Sequence, residues 1–147
     1  MKISNKGLEL IKEFEGFSAN AYLCSAKKAT IGYGNTFWED GRAVKLGEQI
    51  SKSRAEALLL HTVSGFAQGV SDRVSVTLTQ NQFDAMVSLV YNIGLGNFGS
   101  STLLRKVNER DFAGASFEFL RWDKSNGKPL LGLTRRRERE KLLFDSL

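Results

Sequence analysis

Apolar residues recur at helical spacing along most of the chain. In residues 4–15, Leu8, Ile11 and Phe14 are three residues apart and share one face of a predicted helix. Gly16 follows this segment and can end the helix in the left-handed conformation that glycine adopts without strain. The pattern therefore predicts a short amphipathic helix near the N-terminus.

Capping patterns indicate where two longer helices begin. Ser53 and Glu56 are three residues apart, as are Thr79 and Gln82, and each pair fits a capping box. We expect the first helix to run from 53 to about 69 and the second to end near Gly94, where the helical spacing stops. Further helices are predicted near 102–108, 112–121 and 134–145.

Residues 17–38 follow a different pattern. Gly32 and Gly34 interrupt short β-prone runs, which predicts a small antiparallel sheet. No linker-like segment interrupts the chain, so residues 1–147 are expected to form a single domain. The prediction is an α+β fold, with a small β-containing lobe of about residues 16–60. A mainly helical lobe of about 61–147 would include the N-terminal helix.

Composition limits the class of protein without choosing a function. The 147 residues are 41% hydrophobic and 25% charged, as expected for one globular domain. A formal net charge of +5 favours an anionic partner such as nucleic acid, a membrane surface or an acidic cell wall. The single cysteine, Cys24, excludes an intramolecular disulfide. No signal peptide or transmembrane segment is predicted, so we expect no stable membrane insertion.

Glu15 is the strongest candidate for chemistry on local grounds. Leu8, Ile11 and Glu15 share one helix face, which places a carboxyl group at the edge of an apolar stripe. The negative end of the helix dipole and partial burial both disfavour a second negative charge there. A general acid needs this bias toward its protonated form. The alternative is a glutamate that extends from a helix end into water.

Two other motifs are weak as functional signals. Residues 94–99 match the letters of a dinucleotide-binding GxGxxG motif but follow a predicted helix, so we interpret them as a helix stop and a flexible loop. His61, the only histidine, lies beside three leucines on a predicted helix, where a packed or capping role is expected. No Cys/His spacing fits a metal site and no nucleophile elbow is present, so neither metal nor cofactor is predicted.

A basic run occupies residues 134–141. Glu138 and Glu140 interrupt it at distances that allow helical ion pairs. Either an arginine of this run reaches into a site, or the run forms a solvated helix face, which is the commoner outcome. No nucleic-acid-binding motif accompanies it, so nucleic acid is not an expected partner.

One spacing is specific to a known family. Glu15, Cys24 and Thr30 lead into Ile-Gly-Tyr-Gly at 31–34 and resemble the active-site segment of phage-type lysozymes, the endolysin family of glycoside hydrolases. That family has a Glu, eight residues, an Asp or sometimes a Cys, five residues and a Thr. The resemblance continues in the family's order to Arg139, through the segments 82–85, 91–94, 101–104, 121–122 and 132–133.

The resemblance implies a two-lobed fold with a glycan cleft between a small sheet and a helical lobe. It implies a muramidase that hydrolyses the β-1,4 bond between N-acetylmuramic acid and N-acetylglucosamine in bacterial peptidoglycan and lyses the host cell. Glu15 would protonate the leaving oxygen. Cys24 would activate or position water, or stabilise the positive transition state, and the Thr30 hydroxyl would hold that water.

The same resemblance assigns substrate contacts farther along the chain. Asn92, beside Tyr91, falls where the family has an amide that contacts the sugar, and Thr102 falls where a small hydroxyl residue contacts it. An arginine of the 135–137 run, with Arg136 the first choice over Arg135 and Arg137, falls where a cation faces the catalytic glutamate.

Two positions depart from the commoner family pattern. Cys24 replaces an aspartate, and Asn35 stands where a histidine often follows the second glycine. A thiol replaces a carboxylate electrostatically only when it is ionised. Cys24 is therefore either a functional substitute, as a thiolate or a water-orienting group, or inert, with Glu15 and Thr30 sufficient.

The sequence also fits two other functions. A lytic transglycosylase needs one acid and no water, and would release a 1,6-anhydro sugar; Thr30, as a water holder, favours hydrolysis instead. The net charge also fits a non-enzymatic cationic protein that binds the wall or membrane. By resemblance, we expect a monomer held in the host cytoplasm until a separate pore-forming protein gives it access to the wall.

Overall fold

The computed structural model describes all 147 residues, which divide into two compact units. The N-terminal unit contains Leu8–Gly65, and the C-terminal unit contains Met1–Gly7 together with Phe66–Leu147. A run of five helices separates two short antiparallel strand pairs, and this mixture of helices with small antiparallel sheets confirms the α+β prediction. The elements are α1 (Asn5–Glu15), β1 (Ser18–Leu23), β2 (Ala29–Gly32), α2 (Lys52–Arg73), α3 (Gln80–Ile93), α4 (Leu95–Gly99), α5 (Thr102–Asn108), α6 (Phe112–Glu118), a 3-10 turn (Phe119–Arg121), β3 (Lys124–Ser125), β4 (Lys128–Pro129) and α7 (Leu131–Asp145).

The N-terminal unit brings the end of α1 to a two-stranded sheet. The Gly16 amide donates to the Lys12 carbonyl (2.9 Å) and its φ of +69° ends the helix, as predicted. Strands β1 and β2 then pair antiparallel, with Tyr22 opposite Thr30. The buried apolar residues of this unit are Leu10, Ile11, Ile31, Tyr33, Val44, Ile50, Ala55, Leu58, Leu59 and Val63.

Both predicted ends of α2 were wrong. The Ser51 hydroxyl, not that of Ser53, accepts from the backbone amide of Arg54 (3.1 Å) and caps the helix. The helix continues past Gly69 to Arg73. A Cβ at Gly69 would lie 2.6 Å from Leu95 Cδ2, so this glycine allows close packing instead of ending the helix.

The capping box predicted at the start of α3 is confirmed. The Gln82 amide donates to Thr79 Oγ1 (3.1 Å), and the Thr79 amide donates to Gln82 Oε1 (2.9 Å). Gly94, with φ of +88°, ends α3. The flexible loop predicted for residues 94–99 was wrong, because residues 95–99 form the short helix α4 and the Phe98 side chain is fully buried.

The C-terminal unit ends in a hairpin and a helix that packs against α3. Strands β3 and β4 were not predicted, and their connecting residues Asn126 and Gly127 have φ of +52° and +79°. Helix α7 then begins at Leu131, three residues before its predicted start. The buried apolar residues of this unit include Phe83, Met86, Val87, Leu89, Val90, Phe98, Leu103, Val107, Phe119 and Phe144. No helix in the structure is long and apolar enough to cross a membrane.

Candidate active site

The Glu15 carboxyl group lies directly against the backbone of Gly34. A Cβ added at Gly34 would overlap Glu15 Oε1 and lie 3.0 Å from Glu15 Cδ. Gly34 also has φ of +79°, a conformation that residues with a side chain rarely adopt. The last residue of α1 and the turn after β2 therefore form one contact, and only glycine at position 34 permits it.

Asn35 holds this turn in place. Its amide and carbonyl form two backbone hydrogen bonds with Ile31 (2.9 and 2.8 Å) and so close the turn that contains Gly34. Its buried side chain donates from Nδ2 to Thr62 Oγ1 on α2 (2.9 Å). At the position where the family often has histidine, the asparagine of this chain thus supports the backbone that contacts Glu15.

The Cys24 sulfur lies in a turn that supplies several hydrogen-bond donors. The turn is closed by backbone bonds from the Cys24 amide to the Lys28 carbonyl (3.0 Å) and from the Lys27 amide to the Cys24 carbonyl (2.8 Å). The backbone N–H of Lys28, the hydroxyl of Thr30 and the backbone N–H of Ala26 lower the pKa of Cys24 below its ordinary value. These donors favour the thiolate because each binds the charged sulfur more strongly than the neutral one.

Tyr22 connects the predicted catalytic residues of the N-terminal unit. Burial raises the pKa of its phenol, and the nearby charges of Glu15 and Cys24 raise it further. Thr30 lies opposite Tyr22 in the strand pairing. The structure therefore brings Glu15, Cys24 and Thr30 together around one tyrosine, which was not predicted as a site residue.

In the C-terminal unit, Asn92 contacts a buried charge network. Its Oδ1 accepts a hydrogen bond from Arg137, whose guanidinium is fully buried and also pairs with Glu140. Arg137 Nε donates to the carbonyl of Trp122 (2.8 Å). Arg137 was named from the sequence only as an alternative to Arg136, and Glu140 is a functional candidate that was not predicted.

Arg136 belongs to the same network but binds different atoms. Its Nε donates to Glu140 Oε2 (3.2 Å) and its Nη2 donates to the Ser88 carbonyl (3.1 Å). The solvated face expected for this run is wrong at Arg136, Arg137 and Glu140, which are buried. Their burial follows from partners on α3, which a local charge pattern does not reveal. The approach of Arg136 to Glu15 stays a prediction.

Thr102 and Trp122 line a small pocket of the C-terminal unit. The pocket has a volume of about 240 Å³, and its other lining residues are Leu103, Glu118 and Arg121. The Ser101 hydroxyl accepts from the Leu104 amide (3.1 Å), which starts α5 and leaves Thr102 exposed at the pocket. Tyr91, by contrast, is half-buried, and its ring packs edge-on against Phe66 at 5.7 Å.

Other features of the chain lie apart from these residues. A pocket of about 830 Å³ is lined by residues from Trp38 to Arg54, and none of the predicted site residues lines it. A packed or capping role was expected for His61, and the packed role was wrong, because this residue is exposed. No three His, Cys, Asp or Glu side chains form a group that could hold a metal ion.

The chain is similar to known endolysins over its full length. Residues 12–140 match the family described as phage lysozyme. The chain is 46% identical to an endolysin of Acyrthosiphon pisum secondary endosymbiont phage 1, over 99% of each chain. It spans 54% and 56% of the length of two matching Bacillus phage endolysins.

Solved structures of related proteins are also similar to this chain over its full length or nearly so. The endolysin from Escherichia coli O157:H7 phage FAHEc1 has a TM-score of 0.92 and 39% identity, covering 100% of this chain and 96% of that one. The muramidase domain of SpmX from Asticaccaulis excentricus has a TM-score of 0.90 and 39% identity, covering 99% of each chain.

The contact at Gly34 predicts a specific loss of activity. We expect Gly34→Ala to displace the Glu15 carboxyl group, because the new methyl group would occupy its position. Gly47→Ala is the matched control, since Gly47 has φ of +93° but open space around it. Both variants should lose about 1–2 kcal/mol of unfolding free energy to backbone strain. Only Gly34→Ala should lose most of its turnover on peptidoglycan. Equal turnover in the two variants would contradict the contact.

The donors around Cys24 predict an unusually acidic thiol. Because they lower the pKa of Cys24, its alkylation by iodoacetamide should reach the thiolate rate at lower pH than that of an ordinary cysteine. Thr30→Val, which removes the hydroxyl and keeps the shape, should move the alkylation midpoint to higher pH. Cys24 is the only cysteine, so the rate reports on this site alone. An unchanged midpoint in Thr30→Val would show that the hydroxyl does not donate to the sulfur.

Proposed function

The chain belongs to the phage lysozyme family and is a lysozyme-type glycoside hydrolase, and we propose that it hydrolyses the β-1,4 bond between N-acetylmuramic acid and N-acetylglucosamine of bacterial peptidoglycan. The observation that best supports this proposal is the Glu15 carboxyl group held against Gly34, with both Glu15 and Cys24 near Tyr22. The muramidase domain among the similar structures agrees with this substrate.

Glu15 acts as the general acid in this proposal. Its half-buried carboxyl group ends α1, so helix, turn and strand together fix its position. A fixed acid lowers the barrier by donating its proton to the glycosidic oxygen as the bond to the muramic acid carbon breaks. The leaving sugar then departs as a neutral alcohol.

Cys24 and Thr30 act on the water in this proposal. A thiolate at Cys24 carries the negative charge that an aspartate carries in the commoner pattern, and it can stabilise the positive sugar carbon or orient the attacking water. The lowered pKa of Cys24 supports this role. The Thr30 hydroxyl donates to the Lys28 carbonyl (3.0 Å) beside the Cys24 sulfur, and its oxygen would accept a hydrogen bond from the water.

The C-terminal unit supplies substrate contacts in this proposal. Asn92 would bind the sugar through its amide, and Thr102 would bind it through its hydroxyl beside the Trp122 pocket. Tyr91 would pack next to Asn92, and Arg136 would add positive charge. The exposure of Asn92 and Thr102 supports their roles.

The biological setting of the enzyme is proposed from the family resemblance. We expect it to act as a monomer on the wall of a bacterial host, without a cofactor, a metal or nucleic acid. In this setting it would remain in the host cytoplasm until a separate pore-forming protein opened the membrane.

The role of Glu15 is tested by Glu15→Gln, which keeps the shape of the side chain and removes its acidic proton. We expect wild-type protein to release muropeptides with reducing muramic acid ends from purified peptidoglycan, identified by mass spectrometry. Turnover of Glu15→Gln should fall about 100- to 10,000-fold, the range typical of general acid catalysis.

Glu9→Gln on the same helix is the matched control, because the Glu9 side chain is 71% exposed and pairs only with Lys12. It should keep wild-type turnover. Wild-type turnover in Glu15→Gln would contradict the proposal. Cell lysis that survives Glu15→Gln without fragment release, and weakens with salt, would indicate the cationic non-enzymatic mechanism instead.

A further inference from the structure

One buried guanidinium determines which way the Asn92 amide faces. Arg137 is fully buried and donates to Asn92 Oδ1. The carbonyl side of the amide is therefore directed toward α7 and its NH₂ group is directed away from it. Asn92 is an exposed residue, so the NH₂ group that is directed away from α7 is accessible to a ligand. The amide thus presents its donors to its surroundings.

The guanidinium itself is held from three directions. It pairs with Glu140 and it donates from Nε to the Trp122 carbonyl (2.8 Å), in addition to its bond to Asn92. Glu140 is held in turn, because the Ser88 hydroxyl donates to its Oε2 (2.6 Å). A planar group with several fixed donors is suited to this task, whereas a lysine offers a single flexible ammonium group.

Burying the charges of this network costs desolvation free energy, and stability of the fold alone is a weak reason for it. Arg136, Arg137 and Glu140 are all buried charges, and buried ion pairs often stabilise a fold no more than apolar residues of the same volume. Two of the Arg137 bonds end at Asn92 and at the backbone of Trp122, a residue of the Thr102 pocket. The network therefore joins two features of the unit that face outward.

We propose that Arg137 is a positioning residue that holds Asn92 with Nδ2 outward, as a donor to an acceptor oxygen of the N-acetylated glycan. Arg137 does not touch substrate and acts through Asn92. The inference rests on the function proposed above, because it concerns the binding of that glycan. It assigns the sugar contact to Nδ2 of Asn92. It also explains why the amide directs this donor outward and its carbonyl oxygen inward.

The donor is tested by Asn92→Asp, which keeps an oxygen for Arg137 and replaces the outward NH₂ group with an acceptor. The protein should fold with a melting temperature close to wild type, since a carboxylate binds Arg137 at least as well as an amide does. KM for soluble peptidoglycan fragments should rise about tenfold, the loss expected for one hydrogen bond whose partner stays unpaired. The kcat value should change little.

Asn81→Asp is the matched control, because it makes the same change in the first turn of the same helix α3. Its KM should equal that of wild type. An unchanged KM in Asn92→Asp would overturn the assignment of the donor. If wild-type protein released no muropeptides at all, the proposed function would fail, and this outcome is distinct from an active wild type with an unaffected Asn92→Asp.

The positioning role is tested by a double-mutant cycle between Arg137→Lys and Asn92→Ala. If Arg137 acts through Asn92, Arg137→Lys should raise KM in wild-type protein and have no further effect on KM in Asn92→Ala. Should Arg137→Lys fail to fold, Ser88→Ala, which removes one bond to Glu140, replaces it in the same cycle. A rise in KM that persists in the Asn92→Ala background, or no rise in the variants that fold, would overturn the proposal.

Discussion

The close approach of a carboxyl group to a backbone without a side chain is the constraint on which the candidate site depends. The Glu15 carboxyl group can lie where it does only because Gly34 leaves the necessary space. Gly34 in turn keeps its left-handed conformation because Asn35 closes the turn with Ile31 and anchors it to Thr62. The Glu15 carboxyl group is thus positioned by residues to which the proposed reaction assigns no chemical role.

The thiol at position 24 shows how local structure can substitute for an intrinsic chemical property. An aspartate is ionised at neutral pH without assistance, whereas an ordinary thiol is mostly protonated. Here the turn from Cys24 to Lys28 directs backbone N–H groups at the sulfur, and Thr30 adds a hydroxyl. The surroundings of Cys24 therefore compensate for part of the difference in acidity between the two side chains.

Local patterns predicted much of the fold, and they failed where a distant partner decides the outcome. The capping box at Thr79 was correct because both of its bonds are local. The one at Ser53 was wrong, and Glu56 instead forms an ion pair with Lys12 on α1 (3.3 Å). The Asn-Gly pair at 126–127, by contrast, is a local sequence signal for the hairpin that was not predicted.

The same distinction between local and distant partners separates the site residues that the sequence predicts from those that it does not. Spacing and family resemblance were sufficient to propose Glu15, Cys24 and Thr30 as catalytic residues, because the three lie within 16 residues of one another. Arg137 and Glu140 could not be separated from a solvated charge run by sequence alone. Their burial depends on Ser88 and Asn92, which lie about 50 residues earlier in the chain.

Hydrolysis by an attacking water is the central chemical claim, and isotope incorporation tests it most directly. Digestion of purified peptidoglycan in H₂¹⁸O should place one ¹⁸O atom in each released fragment, at the reducing carbon of muramic acid, and raise the fragment mass by about 2 Da. Fragments without the label, about 18 Da lighter than the unlabelled hydrolysis product, would be 1,6-anhydro sugars. That result would contradict a hydrolase in which Thr30 holds water and would assign the chain to transglycosylase chemistry.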